Sequence, residues 1–132
     1  WKYVTYHGWV GRKEVVPALK RSVVGIVALR PHPNYVDALP VKMFEYMGGG
    51  VPVIASDFPL WRKIVEDADC GILVDPLAPR DLAMAIDTII EDKDRALEMG
   101  RNGAAAASAR YNWSVEEVKL IRFYLNLLGL ND

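Results

Sequence analysis

Two carboxylates eight positions apart, Asp37 and Glu45, bracket a predicted helix start in the segment DALPVKMFEYMGGGVPVIAS, residues 37–56. A carboxylate one turn inside a helix accepts two hydroxyl hydrogen bonds, the geometry of a ribose 2′,3′-diol. The first N–H groups of that helix lack internal acceptors, and with the helix dipole they favour an anion. The amides of Val41, Lys42 and Met43 are the expected donors, and the Lys42 ammonium adds a cation on the same turn. A diphosphate for these donors and hydroxyls for the carboxylate occur together in a nucleotide sugar. Plainer readings exist for each residue. Lys42 and Glu45, three apart, can form a surface ion pair worth under about 1 kcal/mol. Asp37 can serve as a turn or cap residue.

The site needs a loop to present it. Residues 30–39, RPHPNYVDAL, follow an apolar run, and in open parallel sheets ligands sit beyond the carboxyl ends of the strands. Pro31, Pro33 and Pro40 restrict this loop without requiring regular structure. His32, Asn34 and Tyr35 either reach a sugar or only shape the loop. His7 and Gly8 begin a second loop after an expected first strand. Arg12 and Lys13 read as surface charges at a helix start, and Trp61 and Trp113 as packing aromatics. Cys70, the lone cysteine, offers neither a disulfide within the chain nor a metal-ligand spacing, and reads as a small core residue.

Apolar runs alternate with helix-period segments, the pattern of an α/β fold: a partial doubly wound, Rossmann-like parallel sheet with helices on both faces. Strands are expected at Tyr3–Tyr6, Val24–Leu29, Val51–Ala55 and Gly71–Val74. Helices are expected at Arg12–Arg21, Pro40–Met47 and Leu60–Glu66. A helical C-terminus follows, at Arg80–Glu91, Lys93–Ala109 and Val115–Leu128. Pro40 suits the first helical position, and Gly48, Gly49 and Gly50 suit the helix exit. Ser114 and Glu117 have capping-box spacing, which starts the last helix there. Its Val118, Ile121, Leu125 and Leu128 form one apolar face, expected to pack in the core. Ala104–Ala107 reads as close helix packing.

At 132 residues the chain has the size of one domain, and 52% hydrophobic with 25% charged residues fits a folded protein. A net charge of −1 without blocks of like charge excludes a nucleic-acid footprint or a polybasic membrane anchor. No apolar run approaches the roughly 20 residues of a spanning helix, and a cytoplasmic setting fits.

Asp37, seven residues and Glu45, followed by EYMGGGVPVIAS and CGILVDP, resemble the C-terminal, donor-binding domain of retaining nucleotide-sugar glycosyltransferases of the GT-B fold, the glycosyl transferases group 1 family. The resemblance extends from YHGWV to YNWS and implies that residues 1–132 are part of the second domain of a two-domain enzyme. It implies that Glu45 binds ribose, that Asp37 faces the donor hexose, and that amides near Leu39 and Val41 hold the diphosphate. Asp37 and Glu45 are thus the candidate catalytic carboxylates, holding the ligand rather than acting as nucleophiles. His7 and Gly8 would lie near the base. No metal is expected, and the nucleotide sugar is the substrate. The acceptor, a glycan or lipid, would be bound by a separate N-terminal domain, which would also carry any membrane association.

Two departures bear on the site. Asp37 is one methylene shorter than the family's usual Glu, and Pro40 replaces a family glycine and removes an amide, a loss Lys42 is expected to compensate. By the same resemblance the chain begins after two strands and a basic pair of the donor domain, and alone would not turn over. Tyr3–Tyr6 is then expected to be displaced, to pair through another chain, or to pack against Val24–Leu29. The rival functions are a non-catalytic flavodoxin-like binding module and a nucleotide-sugar epimerase of the same architecture. A receiver module would need an acidic cluster after its first strand, and none is present.

Overall fold

The structure, a computed structural model, describes residues 2–130. Its elements are α1 (Arg12–Arg21), β1 (Gly25–Val27), α2 (Pro33–Val36), α3 (Val41–Gly48), β2 (Val53–Ser56), α4 (Pro59–Ala68), β3 (Gly71–Val74), α5 (Pro79–Glu91), α6 (Lys93–Arg110) and α7 (Trp113–Leu128). The strands form a parallel sheet in the order β1-β2-β3, with Ile26 opposite Ile54 and Ala55 opposite Leu73. This is the α/β architecture expected, because each β-α-β crossover returns the chain parallel to the strand it left.

Alternation along β2 divides the core. Val53 and Ala55 face a cluster built by Met43, Met47, Trp61 and Val65, with Ala106 and Ala107 from α6. Ile54 faces the other way, onto Val74, Ala85, Ile89 and Ala96. All four residues of β2 are buried, as a strand covered on both faces requires. Cys70 is buried in the first cluster, and burial pushes its thiol pKa up to about 11.

Helix α3 sits on this core because Met43 and Met47, four apart, project to one side and are both fully buried. Its exit is shaped by glycine. Gly50 has φ +70°, and a Cβ on Gly100 of α6 would stand 2.2 Å from the Gly50 carbonyl oxygen. Only a residue without a side chain lets α6 cross there. The helix C-cap itself, Gly49, is right-handed, and the left-handed residue is Gly50 at C′, whose N–H donates to the Met47 carbonyl while the Val51 N–H donates to the Tyr46 carbonyl, the Schellman exit.

Four expectations are corrected. Tyr3–Tyr6 forms no strand. Residues 4–8 have no regular structure, Tyr3 and Tyr6 are exposed, and neither described strand ladder includes them. Without ladder partners an apolar run has nothing to satisfy its backbone groups except water. Pro40 is the N-cap of α3 rather than its first helical residue. Asn112, not Ser114, caps α7: its side-chain oxygen accepts from the Val115 N–H at 3.2 Å, while Nδ2 donates to the Ser108 carbonyl at 2.6 Å. One residue thereby closes α6 and opens α7. Finally, the apolar face of α7 is not in the core; Val118, Ile121, Leu125 and Leu128 are all exposed, and so is Trp113.

Candidate functional site

The loop between β1 and α3 is fastened at three points. Ser56, the last residue of β2 and fully buried, accepts the Leu29 N–H at 2.8 Å and donates to the Leu29 carbonyl at 2.8 Å. This pair of hydrogen bonds extends the β1–β2 contact to Leu29, two residues beyond the end of the ladder. Next, the one-turn helix α2 is capped by His32, whose Nδ1 accepts the Asn34 N–H at 3.2 Å, and the His32 and Tyr35 rings lie 5.5 Å apart. Both residues therefore shape the loop. Lastly, the Trp61 indole donates to the Ala38 carbonyl at 2.6 Å, and Trp61 itself is buried against Phe58.

Asp37 is the C-cap of α2, exposed at the turn that leads to α3. Beyond it the backbone N–H groups of Leu39, Val41 and Lys42 have no acceptor among the described residues. Met43 differs from expectation: its N–H is used by the Pro40 carbonyl at 3.0 Å, which follows from Pro40 occupying the cap. The available donors are therefore two helix-start amides and one from the loop. These are residues placed to approach an anion without breaking a bond of the fold.

Glu45 lies one turn in, on the exposed side of α3 opposite Met43 and Met47. The surface pair with Lys42 is not made; neither residue takes part in an ion pair among the described residues. Glu45 instead stands between two grooves. The larger, about 590 Å³, joins Leu39, Val41, Phe44 and Glu45 of the loop and α3 to Tyr111 and Trp113 at the α6–α7 junction. The smaller, about 370 Å³, sets Glu45 and Gly48 across from Arg12, Val15, Leu19 and Lys20 of α1. Tyr46 is half-buried, and desolvation, followed by the negative charge of Glu45, raises its hydroxyl pKa.

The structure thus brings Leu39, Val41 and Glu45 around one groove, while Asp37 and Lys42 line neither groove. His7 and Gly8 are exposed, follow no strand, and also line neither; Gly8 has φ +68°. Arg12, expected as a surface charge, shares the smaller groove with Glu45. Sequence reasoning did not single out Ser56, whose signal is a polar residue ending an otherwise apolar buried strand. Nor did it single out the indole N–H of Trp61, a buried polar tip that needs an acceptor. Among the described residues no three His, Cys, Asp or Glu side chains gather as a metal's donor set would.

A parallel sheet with a loop and helix start at its carboxyl edge defines a Rossmann-like α/β domain. The chain belongs to the glycosyl transferases group 1 family, whose model matches residues 1–106. It is 33% identical over 82 residues to the D-inositol 3-phosphate glycosyltransferase of Corynebacterium kroppenstedtii, covering 62% of this chain and 18% of that protein. To the phosphatidyl-myo-inositol mannosyltransferase of Mycolicibacterium smegmatis it is 34% identical over 95 residues, covering 70% of this chain and 24% of that protein. Sucrose-phosphate synthase from Thermosynechococcus elongatus superposes with a TM-score of 0.86 at 26% identity, over 98% of this chain and 31% of that one. The chain therefore spans about a fifth to a third of the length of these relatives.

Proposed function

We propose that residues 1–132 are part of the C-terminal, donor-binding domain of a retaining two-domain glycosyltransferase that moves a sugar from a nucleotide diphosphate to a glycan or lipid-linked acceptor. The observation that carries this reading is the set of unpaired amides at Leu39, Val41 and Lys42 with the exposed, unpaired carboxylate of Glu45 one turn further in, in a chain of this family. Glu45 takes the ribose diol, and Asp37 accepts from hydroxyls of the transferred sugar. The amides and the Lys42 ammonium take the negative charge that grows on the leaving diphosphate, so stabilisation increases as the glycosidic bond breaks. No metal is assigned a part. The acceptor binds to a domain outside residues 1–132, and the chain alone binds donor without turnover. No helix among the described residues is long and apolar enough to cross a membrane. The proposed setting is the cytoplasm, where nucleotide sugars are available.

Calorimetric titration of the chain with nucleoside diphosphates tests this reading. Saturable binding that Glu45→Ala weakens is expected. Binding of no nucleoside diphosphate, or equal binding by the Glu45 variant, would overturn it. Product analysis of the complete protein separates sugar transfer from epimerisation.

A further inference from the structure

At the opposite ends of the strands from the Asp37–Glu45 segment, a cavity of about 570 Å³ opens between the end of α1, the turn entering β2, and the junction of α5 with α6. Its walls are mainly apolar, formed by Val23, Pro52, Ile89, Ala96 and Leu97. Ile89, Ala96 and Pro52 are buried as its floor, whereas Val23 and Leu97 stay more than half exposed at its mouth. Lys20, Arg21 and Lys93 supply the charged rim, and no carboxylate lines it. None of the three cations forms an ion pair among the described residues. Of the two acids that flank Lys93 in sequence, Asp92 accepts the Arg95 N–H as the cap of α6 and Asp94 lies in the first turn of that helix; neither lines the cavity. The Ser22 hydroxyl hydrogen is spent on the Ala18 carbonyl at 2.9 Å.

We propose that this cavity binds an amphiphilic anion, a molecule joining one hydrocarbon chain to a phosphate or carboxylate. The volume lies within the roughly 300–1,000 Å³ of small-molecule sites, which are lined by apolar groups with a few polar ones that orient the ligand. A plain sugar would meet no carboxylate to accept its hydroxyls, and an inorganic anion would leave the apolar floor in water. Lys and Arg suit the division of labour, since their stems lie along apolar surface while their charged ends meet the head group.

The test is titration of the isotopically labelled chain, followed by amide chemical shifts, with dodecyl phosphate, inorganic phosphate and dodecyl maltoside, each below its micelle concentration. Dodecyl phosphate is expected to give saturable shifts at Ser22, Val23, Gly50, Lys93 and Leu97, and to bind about tenfold or more tightly than either control. Two exposed-site variants, Arg21→Glu combined with Lys93→Glu, and separately Leu97→Asp, are each expected to weaken it about tenfold, with melting curves confirming the fold. Equal binding of dodecyl maltoside would reduce the site to a bare apolar patch. Equal binding of inorganic phosphate, scattered shifts, or self-association that buries these residues would likewise overturn the proposal.

Discussion

Replacing Ser56 by alanine tests whether the candidate site depends on a residue that would not touch the ligand. The hydroxyl holds both backbone groups of Leu29, each at 2.8 Å, at a fully buried position. Alanine removes one acceptor and one donor together and leaves a half-buried N–H and carbonyl with no protein partner. Each such hydrogen bond contributes about 0.5–1.5 kcal/mol, and abandoned buried groups cost more, so the expected loss is about 2–3 kcal/mol. At about 2.1 cal/mol/K per residue of unfolding entropy, that loss lowers the melting temperature of a 132-residue chain by about 7–11 °C. Circular dichroism melts and urea titrations measure it. The functional consequence is separate: Leu29 anchors the loop that ends at Leu39, so nucleoside diphosphate affinity is also expected to fall, measured at a temperature where the variant is fully folded. A stability loss below about 0.5 kcal/mol, within the range of ordinary surface substitutions, would refute the claim that this pair of bonds extends the sheet. Normal stability loss with unchanged affinity would refute the link between loop anchoring and donor binding.

Glu45→Ala is expected to weaken nucleoside diphosphate binding about 10- to 100-fold, the value of a charged hydrogen bond pair, while leaving the melting temperature nearly unchanged because the side chain is exposed. Lys42→Ala should weaken a diphosphate more than the corresponding nucleoside; an unchanged diphosphate affinity would sink its compensating role. Gly100→Ala places a Cβ 2.2 Å from the Gly50 carbonyl oxygen and should destabilise the chain by about 1–3 kcal/mol, read by urea denaturation. Hydrogen bonding to Arg62 lowers the Asp57 pKa, and hydrogen bonding to Arg95 lowers that of Asp69. Both contributions are present above the unfolded carboxylate pKa, near about 3.9, and are lost as pH falls through the lower folded values. Asp57→Asn with Asp69→Asn should therefore flatten the acid limb of a stability profile. For Cys70 the sign is reversed: the unfolded thiol ionises first, near about 8.5, so stability falls as pH rises from there to about 11, and native Cys70 should resist a thiol reagent that labels it on unfolding.

What was legible in the chain was whatever local chemistry decides. The strand at Gly71–Val74 and the helix at Arg12–Arg21 coincide with expectation residue for residue, because turn-forming neighbours bound each run: Gly11 and Ser22 the helix, Asp75 and Pro76 the exit of the strand. Glu45 was readable as an exposed acid because Met43 and Met47 identify the buried side of the same helix. Caps were less readable, since Asn112 and Ser114 are both good N-cap residues two positions apart. The winner is the one that also closes α6 through its amide, a bond between two helix ends that spacing within one of them does not reveal. Tyr3–Tyr6 illustrates the limit for strands. Its Tyr-Val-Thr-Tyr composition suits a pleated surface, but a strand exists only where a ladder receives it, and the outer edge of β1 takes no partner among the described residues.

The same distinction explains α7. Its apolar stripe at positions 118, 121, 125 and 128 correctly signals a helix, since the repeat follows the helical period and the element forms. The stripe carries no information about what covers it. Both core clusters close without any residue of α7, through Tyr111 and the small residues of α6 instead. Periodicity establishes that one side of a helix is apolar; only the other elements of the fold decide whether that side has somewhere to go. In α3, with a similar amphipathic pattern, Met43 and Met47 meet the sheet, and the exposed remainder becomes a wall of the candidate site. In α7 the apolar side itself stays outside, so burial is not implied by pattern, even in a chain where pattern located every helix among the described residues but the single turn at α2.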